Sequence, residues 1–454
     1  MRRNDNSNTT TPDAQAASTP HTSRLTPHAS TSHVSRLAPH ETRSTRVVKA
    51  RLLDPFTGRD EIGDLAFRDG VIVANEGHFD ETIDASGQWL MPGIVDLCAR
   101  TRDPGATQKG TMRSESNAAF ASGITALCLP PDTKPVIDNT AVVIRVNRIA
   151  KAAGGAFVYM LGALTKGLEG DALAEISALK SAGCVGVTNG LAPVANALVA
   201  RRALEYAASL GMTVHVVPLD AALANNGCAH EGAVATRLGL AAIPVAAEAV
   251  AMRQWISLVE DTGGRVHFGR LSSARGVELL AAAKARGLPI TADVAAHQLF
   301  LTDAALEGFN ALAHVIPPLR SAADREALRE AVGSGLIDAI CSDHQPHELD
   351  AKTNPLPLTE PGISALETLL PLSLRLVHDG LLTPLTLAER LVRGPAQVLG
   401  LAAKGLSIGA TADLCLVDPT HLWLFDATRM NSVGRNTPFI GEAFQGRATR
   451  VWRG

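Results

Sequence analysis

The sequence predicts an α/β fold: a (β/α)8 barrel of the TIM type, joined to a small β-sandwich domain built from both chain ends. Two observations lead to this prediction. Eight short apolar runs alternate with Ala-rich helical segments between residues 92 and 398, which is the pattern of successive β/α units. Short strand-and-turn sequences occupy residues 46–91 and return at residues 399–454, so we expect the two ends to form one domain.

The composition is that of a soluble globular protein. The 454 residues are 46% hydrophobic and 19% charged, with a formal net charge of -3. This charge gives no electrostatic basis for binding nucleic acid or an anionic membrane, and no apolar run is long enough to span a bilayer. The six cysteines are scattered without a C-x-x-C pair, which indicates free thiols in a reducing, cytoplasmic compartment.

The first 45 residues are predicted to be a disordered tail. They are rich in Ser, Thr, Pro, Asn and His and contain a small repeat, Ser-Arg-Leu-x-Pro-His, at residues 23–28 and 35–40. Such a segment cannot bury enough apolar area to offset the cost of ordering its backbone. Its four histidines, at positions 21, 28, 33 and 40, leave weak metal contact or partner docking as alternatives to a solvated tail.

The β-domain is expected to have two parts, residues 46–91 and 399–454, which flank a barrel at residues 92–398. The predicted barrel strands lie at residues 93–97, 124–130, 156–162, 184–189, 213–219, 265–272, 290–296 and 338–342. Segments such as 171–182 and 324–332 show helical periodicity. Function in such a barrel is expected at the carboxyl ends of the strands.

Several ordered motifs carry a family resemblance. They are Met-Pro-Gly-Ile-Val-Asp-Leu followed by Cys-Ala-Arg-Thr-Arg-Asp-Pro-Gly (91–105), His-Val-Ile-Pro-Pro-Leu-Arg-Ser (314–321), Asp-Ala-Ile-Cys-Ser-Asp-His-Gln-Pro-His (338–347), and Glu-Pro-Gly-Ile-Ser-Ala-Leu-Glu-Thr (360–368). Together with Thr-Ala-Asp (291–293) and Asn-Thr-Pro-Phe-Ile-Gly (436–441), they resemble the dihydroorotases of the amidohydrolase superfamily. The likeness extends over residues 46–454.

The resemblance implies a zinc centre, but this chain has lost the ligands. In the family, zinc activates a water that attacks a cyclic amide, and an Asp at the end of strand eight moves the proton; Asp343 matches that residue. The other positions hold residues that bind zinc poorly or not at all, namely Cys98 and Arg100 for a His-x-His pair, Asn189 for a bridging group, and Val217 and Arg270 for two histidines. One carboxylate does not hold zinc, so no metal cofactor is expected.

Two histidines lie close to the altered positions. His215 is two residues before Val217 and could share its face of the strand, which leaves a residual ligand open. His267 is three residues before Arg270, and strict alternation would point it to the opposite side. Cys98 could also act as a nucleophile, although the sequence places no histidine beside it.

The resemblance implies a less altered substrate pocket. Arg102 matches an Arg that pairs with the substrate carboxylate, Asp132 stands near a family Asn, and His347 matches a substrate-contacting His; His344 also remains. Alternatively, Arg102 forms a structural ion pair, and the two histidines only order their loop.

The lost positive charge of zinc suggests a replacement. We predict that Arg100 or Arg270 pairs with Asp343, because a buried carboxylate without a partner is costly. The alternative is drift, in which both arginine side chains reach solvent at the barrel mouth.

Three function classes follow. The first is a non-catalytic, dihydroorotase-like structural subunit of pyrimidine biosynthesis, similar to chains that accompany the catalytic chain of aspartate carbamoyltransferase in an oligomer. The second is an active dihydroorotase or related cyclic amidohydrolase with an unusual metal site. The third is a sensor that binds an anionic ligand through Arg102 without turnover.

Overall fold

The computed structural model describes residues 44–402 and 404–454. The predicted tail and its repeat therefore lie outside the described residues, except for residues 44 and 45, which already belong to the first strand. The N-terminal strands are β1 (Ser44–Asp54), β2 (Arg59–Arg68), β3 (Val71–Val73), β4 (Glu81–Asp84) and β5 (Trp89–Pro92).

Eight parallel strands form the barrel. They are β6 (Ile94–Asp96), β7 (Ile124–Leu129), β8 (Phe157–Ala163), β9 (Gly186–Thr188), β10 (Thr213–Val216), β13 (Val266–Phe268), β14 (Ile290–Ala295) and β15 (Ala339–Cys341), and a separate parallel pair, β11 (Ala229–His230) and β12 (Ala242–Ile243), lies between β10 and β13 in the chain. Each of the eight barrel strands lies within or overlaps one of the eight predicted strand segments. The first and last strands meet at the mouth, where Arg100 N donates to His344 O at 3.0 Å and His344 N donates to Cys98 O at 3.1 Å. The predicted barrel is confirmed.

The two chain ends form one β-domain, as predicted, and their strands share one sheet. The C-terminal strands β16 (Leu414–Leu424) and β17 (Ala443–Trp452) extend a seven-stranded sheet of order β17-β16-β5-β1-β2-β3, with β4 paired to β1. The join is the antiparallel pairing of β5 with β16, in which Met91 faces Cys415. Alternate residues of these strands, including Leu52, Leu90, Leu414 and Leu416, form the core of the domain, because successive side chains of a strand point to opposite faces.

Most of the helices follow the barrel strands in the chain. They are α1 (Met112–Ala121), α2 (Thr140–Ala153), α3 (Ile176–Ser181), α4 (Ala197–Ser209), α5 (Ala221–Ala224), α6 (Ala233–Leu238), α7 (Val245–Thr262), α8 (Ala274–Ala285), α9 (Ala322–Ser334), α10 (Leu366–His378), α11 (Pro384–Ala388) and α12 (Gly394–Val398), with a π-helical turn at Glu389–Arg393. Short 3-10 segments are Lys166–Leu168, Ala296–Leu299, Asp303–Phe309, Ala311–Ala313, Leu349–Lys352, Leu356–Leu358 and Ala427–Arg429. Among the described residues, none of these helices has the length and apolarity to cross a bilayer.

One predicted helix is shorter than expected. The segment 171–182 becomes helical only at Ile176, because the residues before it pair with the chain that leaves β8. Lys166 N donates to Ala172 O at 2.8 Å, and Ala174 N donates to Leu164 O at 3.1 Å. The other predicted segment, 324–332, lies within α9, which Ser321 and Asp324 cap reciprocally.

Strand alternation separates the barrel interior from its helix-facing surface. Val95, Ala126, Leu161, Ala295 and Cys341 belong to the small interior core. His215 is level with His267, which in turn is level with Thr291, and both histidines are buried. The interior is therefore apolar at the positions of this core, and it carries two buried histidines on β10 and β13.

Candidate functional site

The carboxylate of Asp343 lies at the centre of the barrel mouth. Its Oδ1 is 3.5 Å from Arg100 Nη1, 3.6 Å from Arg270 Nε and 3.5 Å from Cys98 Sγ, and its Oδ2 accepts from Gln345 Nε2 at 3.2 Å. All three charged residues are buried. The predicted ion pair is confirmed for both arginines, and the alternative in which they reach solvent is wrong.

Arg100 also binds a second carboxylate. Its Nε donates to Asp132 Oδ2 at 2.6 Å, which joins the end of β6 to the loop after β7. Although burial opposes ionisation of both groups, their mutual attraction keeps the pKa of Asp132 below and that of Arg100 above its ordinary value. Asp132 was expected to be part of a substrate pocket. Its carboxylate binds Arg100, the residue that occupies a metal-ligand position of the family.

Arg270 reaches the mouth through a turn of its backbone. Strand β13 ends at Phe268, and Arg270 adopts a left-handed conformation with φ of 58°, which is unusual for a residue with a long side chain. Asp293 Oδ1 accepts from Arg270 N at 2.7 Å and holds this turn in place. The rule of strict alternation does not extend beyond the strand end.

The expectation for His267 was therefore wrong. Its side chain lies in the barrel interior, where Nε2 donates to Asp293 Oδ2 at 2.8 Å and Nδ1 is 2.9 Å from Thr291 Oγ1. The interior direction follows from its register with His215 and Thr291. His267 thus supports Asp293, which supports Arg270.

The two remaining ligand positions are also occupied by groups unsuited to a metal. Asn189 Oδ1 accepts from both Thr165 N and Thr165 Oγ1 at 3.0 Å, so its carbonyl joins two neighbouring loops. Val217 is apolar and buried. His215 lines the same cavity as Val217, but its Nε2 is buried without a hydrogen-bond partner.

These residues do not fit a zinc ion. The described residues contain no group of three His, Cys, Asp or Glu side chains arranged to hold a metal, whereas such sites need three or four protein ligands. Burial raises the pKa of Cys98 to about 12 despite the nearby arginines, so the thiol is protonated at neutral pH. A protonated thiol is a weak ligand and a weak nucleophile.

Arg102 lies beside this cluster without a carboxylate partner. Its Nε donates to Pro346 O at 3.1 Å, and its Nη2 is 3.0 Å from His347 Nε2. Among the described residues no carboxylate oxygen lies within 4.0 Å of it, so the structural ion pair considered for Arg102 is absent. Burial, followed by repulsion from Arg100, lowers the pKa of Arg102 to about 10.

The two loop histidines have different surroundings. His344 Nε2 donates to Glu115 Oε2 at 3.0 Å, and its Nδ1 accepts from Ala365 N at 3.0 Å. His347 Nδ1 is 3.2 Å from Lys109 Nζ. His344 therefore joins strand eight to α1 and to the segment before α10, which is the loop-ordering alternative, whereas His347 remains next to Arg102.

Several residues of this site were not identified from the sequence. Asp293 was noted only as part of a motif, and Lys109, Glu115, Gln345 and Glu360 were not singled out. Lys109 Nζ binds Glu360 and contacts His347. Each partner lies more than two hundred residues away along the chain, so local spacing carried no signal for these contacts.

We expect a pH-dependent loss of stability that depends on His297. This histidine is buried at the mouth, its Nδ1 has no hydrogen-bond partner, and burial lowers its pKa to about 4. His297 takes up a proton near pH 6.5 in the unfolded chain, whereas in the folded chain it does so only near pH 4. The free energy of unfolding therefore falls as the pH drops from 6.5 toward 4. At pH 5 the His297 contribution is about 2 kcal/mol relative to pH 7.

Urea unfolding of the wild type and of His297→Leu at pH 7 and pH 5 measures this effect. The variant should lose about 2 kcal/mol less than the wild type between the two pH values. Equal losses would show that His297 does not contribute to the acid sensitivity.

Known proteins resemble this chain along most of its length. A family described as "Dihydro-orotase-like" matches residues 87–275. A "Dihydroorotase-like protein" of Pseudomonas aeruginosa is 51% identical over 403 residues, covering 88% of this chain and 95% of that protein. One of Pseudomonas putida is 48% identical over 405 residues, covering 88% of this chain and 95% of that protein.

Other similar proteins carry the name of an enzyme. A "Dihydroorotase" of Anaeromyxobacter dehalogenans is 42% identical over 408 residues, covering 88% of this chain and 94% of that protein. Among solved structures, the L-hydantoinase of Arthrobacter aurescens superposes with a TM-score of 0.82 at 24% identity, covering 90% of this chain and 95% of that one, which supports the fold. By its similarity to these relatives, this chain belongs to the dihydroorotase-like family.

Proposed function

We propose that this chain is a non-catalytic, dihydroorotase-like protein of pyrimidine biosynthesis. In this proposal it acts in the cytosol as a structural subunit that supports aspartate carbamoyltransferase in an oligomer. The observation that carries the non-catalytic part is the placement of Asp343 between two buried guanidinium groups, with Oδ1 3.5 Å from Arg100 and 3.6 Å from Arg270.

The chemistry of this arrangement supports a loss of hydrolysis. Water is a poor nucleophile at neutral pH, and the family chemistry depends on a metal that lowers the pKa of water and polarises the carbonyl. A guanidinium group stays protonated and has no lone pair to offer a metal. Here Arg100 and Arg270 neutralise Asp343, the one carboxylate that remains of the family's metal centre. The chain itself therefore supplies the positive charge that zinc would supply.

The partnership rests on family likeness and on the integrity of the barrel. The strands around the altered centre still close at the Cys98–His344 contact. A structural role requires an intact surface and core, whereas it does not require a metal centre.

Isolation of the full-length, affinity-tagged chain from its own cells, followed by native mass measurement, tests the partnership. We expect the catalytic chain of aspartate carbamoyltransferase to co-purify at a fixed ratio. Elution of the tagged chain without the transferase, with the transferase intact in other fractions, would contradict the proposal. Thermal stabilisation of the lone chain by carbamoyl aspartate would favour the sensor instead.

A further inference from the structure

A patch of positive charge lies at the end of the barrel where the strands begin. It comprises Arg148 and Lys151 near the end of α2, Arg113 on α1, Arg453 after β17 and Phe157, the first residue of β8. All five residues are exposed, and we call them the α2-end patch. Because parallel strands begin at one end of a barrel and finish at the other, the patch lies opposite the altered metal centre.

Two hydrogen bonds hold the patch together. Arg113 Nη2 donates to Ala152 O at 2.9 Å, and Arg453 Nη1 donates to Gly155 O. Both acceptors lie where α2 ends and the chain turns into β8, so the two guanidinium groups lie next to that turn. A guanidinium group has five N–H donors, and each of these two groups therefore retains donors for a further partner.

Within the described ranges, the chain does not balance the charge of this patch. Residues 139–168 contain no Asp or Glu, and no described carboxylate oxygen lies within 4.0 Å of any of the four cations. Elsewhere on the surface such cations are paired, as Arg202 is with Glu205. Asp413 lies nearby, but its carboxylate already accepts from Gly454 N at 3.2 Å. The patch is thus complementary to an acidic surface.

An aromatic ring lies among these cations. The Phe157 side chain is 49% exposed, and its ring packs on that of Tyr159 with the centroids 4.7 Å apart. Aromatic and arginine side chains are enriched among the residues that carry the binding energy of protein interfaces. An apolar anchor with charged groups around it is also the arrangement of an interface core and its polar rim.

We propose that the α2-end patch docks an acidic segment of a partner protein, in which Asp or Glu side chains flank an apolar residue. The carboxylates pair with the four cations, and the apolar residue packs on Phe157. A nucleic acid is the less suitable occupant, because the net charge of -3 gives no long-range attraction to a polyanion. The inference rests on the proposed structural role, since it names the surface that holds the partner chain.

Affinity measurement between the full-length protein and the partner chain that co-purifies with it tests the patch. Arg148→Glu combined with Lys151→Glu should weaken the association about hundredfold or more, because like charges across an interface repel. Both side chains are exposed, so the thermal midpoint should stay unchanged. The matched control, Arg202→Glu with Arg253→Glu, changes the net charge equally on α4 and α7 and should leave the affinity unchanged.

A second variant, Phe157→Ala, leaves the charge unchanged and should weaken the same association about tenfold or more. Affinities that neither patch variant lowers would overturn this inference and leave the structural role intact. Isolation of the wild-type chain without a partner would overturn the structural role and the inference with it. Oligouridylate that displaces the partner, and that binds Arg148→Glu with Lys151→Glu more weakly than the wild type, would assign the patch to nucleic acid and also overturn the inference.

Discussion

Asp343→Asn is expected to lower the free energy of unfolding by about 4 kcal/mol, since removing one member of a buried ion pair leaves an uncompensated charge. Asp343 lies between Arg100 and Arg270, and all three side chains are buried. The amide keeps the size of the side chain and removes its charge. Asp132 would then be the one carboxylate bonded to this pair of arginines, and it contacts only Arg100.

Urea unfolding measures the change, with Asp171→Asn as the control because Asp171 is exposed. A combined variant, Arg100→Met, Arg270→Met and Asp343→Leu, should recover stability to within about 2 kcal/mol of the wild type, because replacing a buried ionic triad by apolar groups is often neutral and Asp132, which is exposed, stays hydrated without Arg100. An Asp343→Asn protein as stable as the Asp171→Asn control would show that the cluster is not a coupled ionic unit.

Glu248→Gln is expected to cost about 3 kcal/mol of stability through an unpaired backbone group. Glu248 is buried on α7, and its carboxylate accepts from the backbone N–H and the hydroxyl of both Ser272 and Ser273. Gln has one acceptor oxygen, so its NH2 group must face one of the two backbone donors. A serine hydroxyl can rotate and accept a hydrogen bond from this NH2 group, but a backbone N–H can only donate.

The matched control is Glu330→Gln, since Glu330 is exposed on α9. Because Ser272 follows Arg270 by two residues, the change should also increase amide hydrogen exchange in residues 270–273. Stability equal to that of the control, with unchanged exchange, would mean that the carboxylate does not hold this loop.

The barrel could be predicted from the sequence because its strands are short apolar runs separated by long helical segments. Local pattern carries this information. The helix at residues 171–182 could not be placed correctly, since its first part pairs with the chain after β8, a contact that periodicity does not encode.

The altered centre was only partly predictable. Motif comparison identifies the loss of metal-ligating histidines at Arg100 and Arg270. Charge then predicts that these arginines pair with Asp343. The direction of His267 was wrong because the left-handed turn at Arg270 breaks the alternation on which the expectation relied. The roles of Glu115 and Lys109 depend on partners that only the folded chain brings close.

The central claim is that this barrel has exchanged its metal centre for an ion-pair cluster. The most direct measurement combines zinc analysis and dihydroorotate hydrolysis on one sample of the full-length protein purified from zinc-supplemented cells. We predict zinc well below about 0.1 per chain and no turnover. Zinc near one per chain, with turnover that Asp343→Asn abolishes, would contradict it.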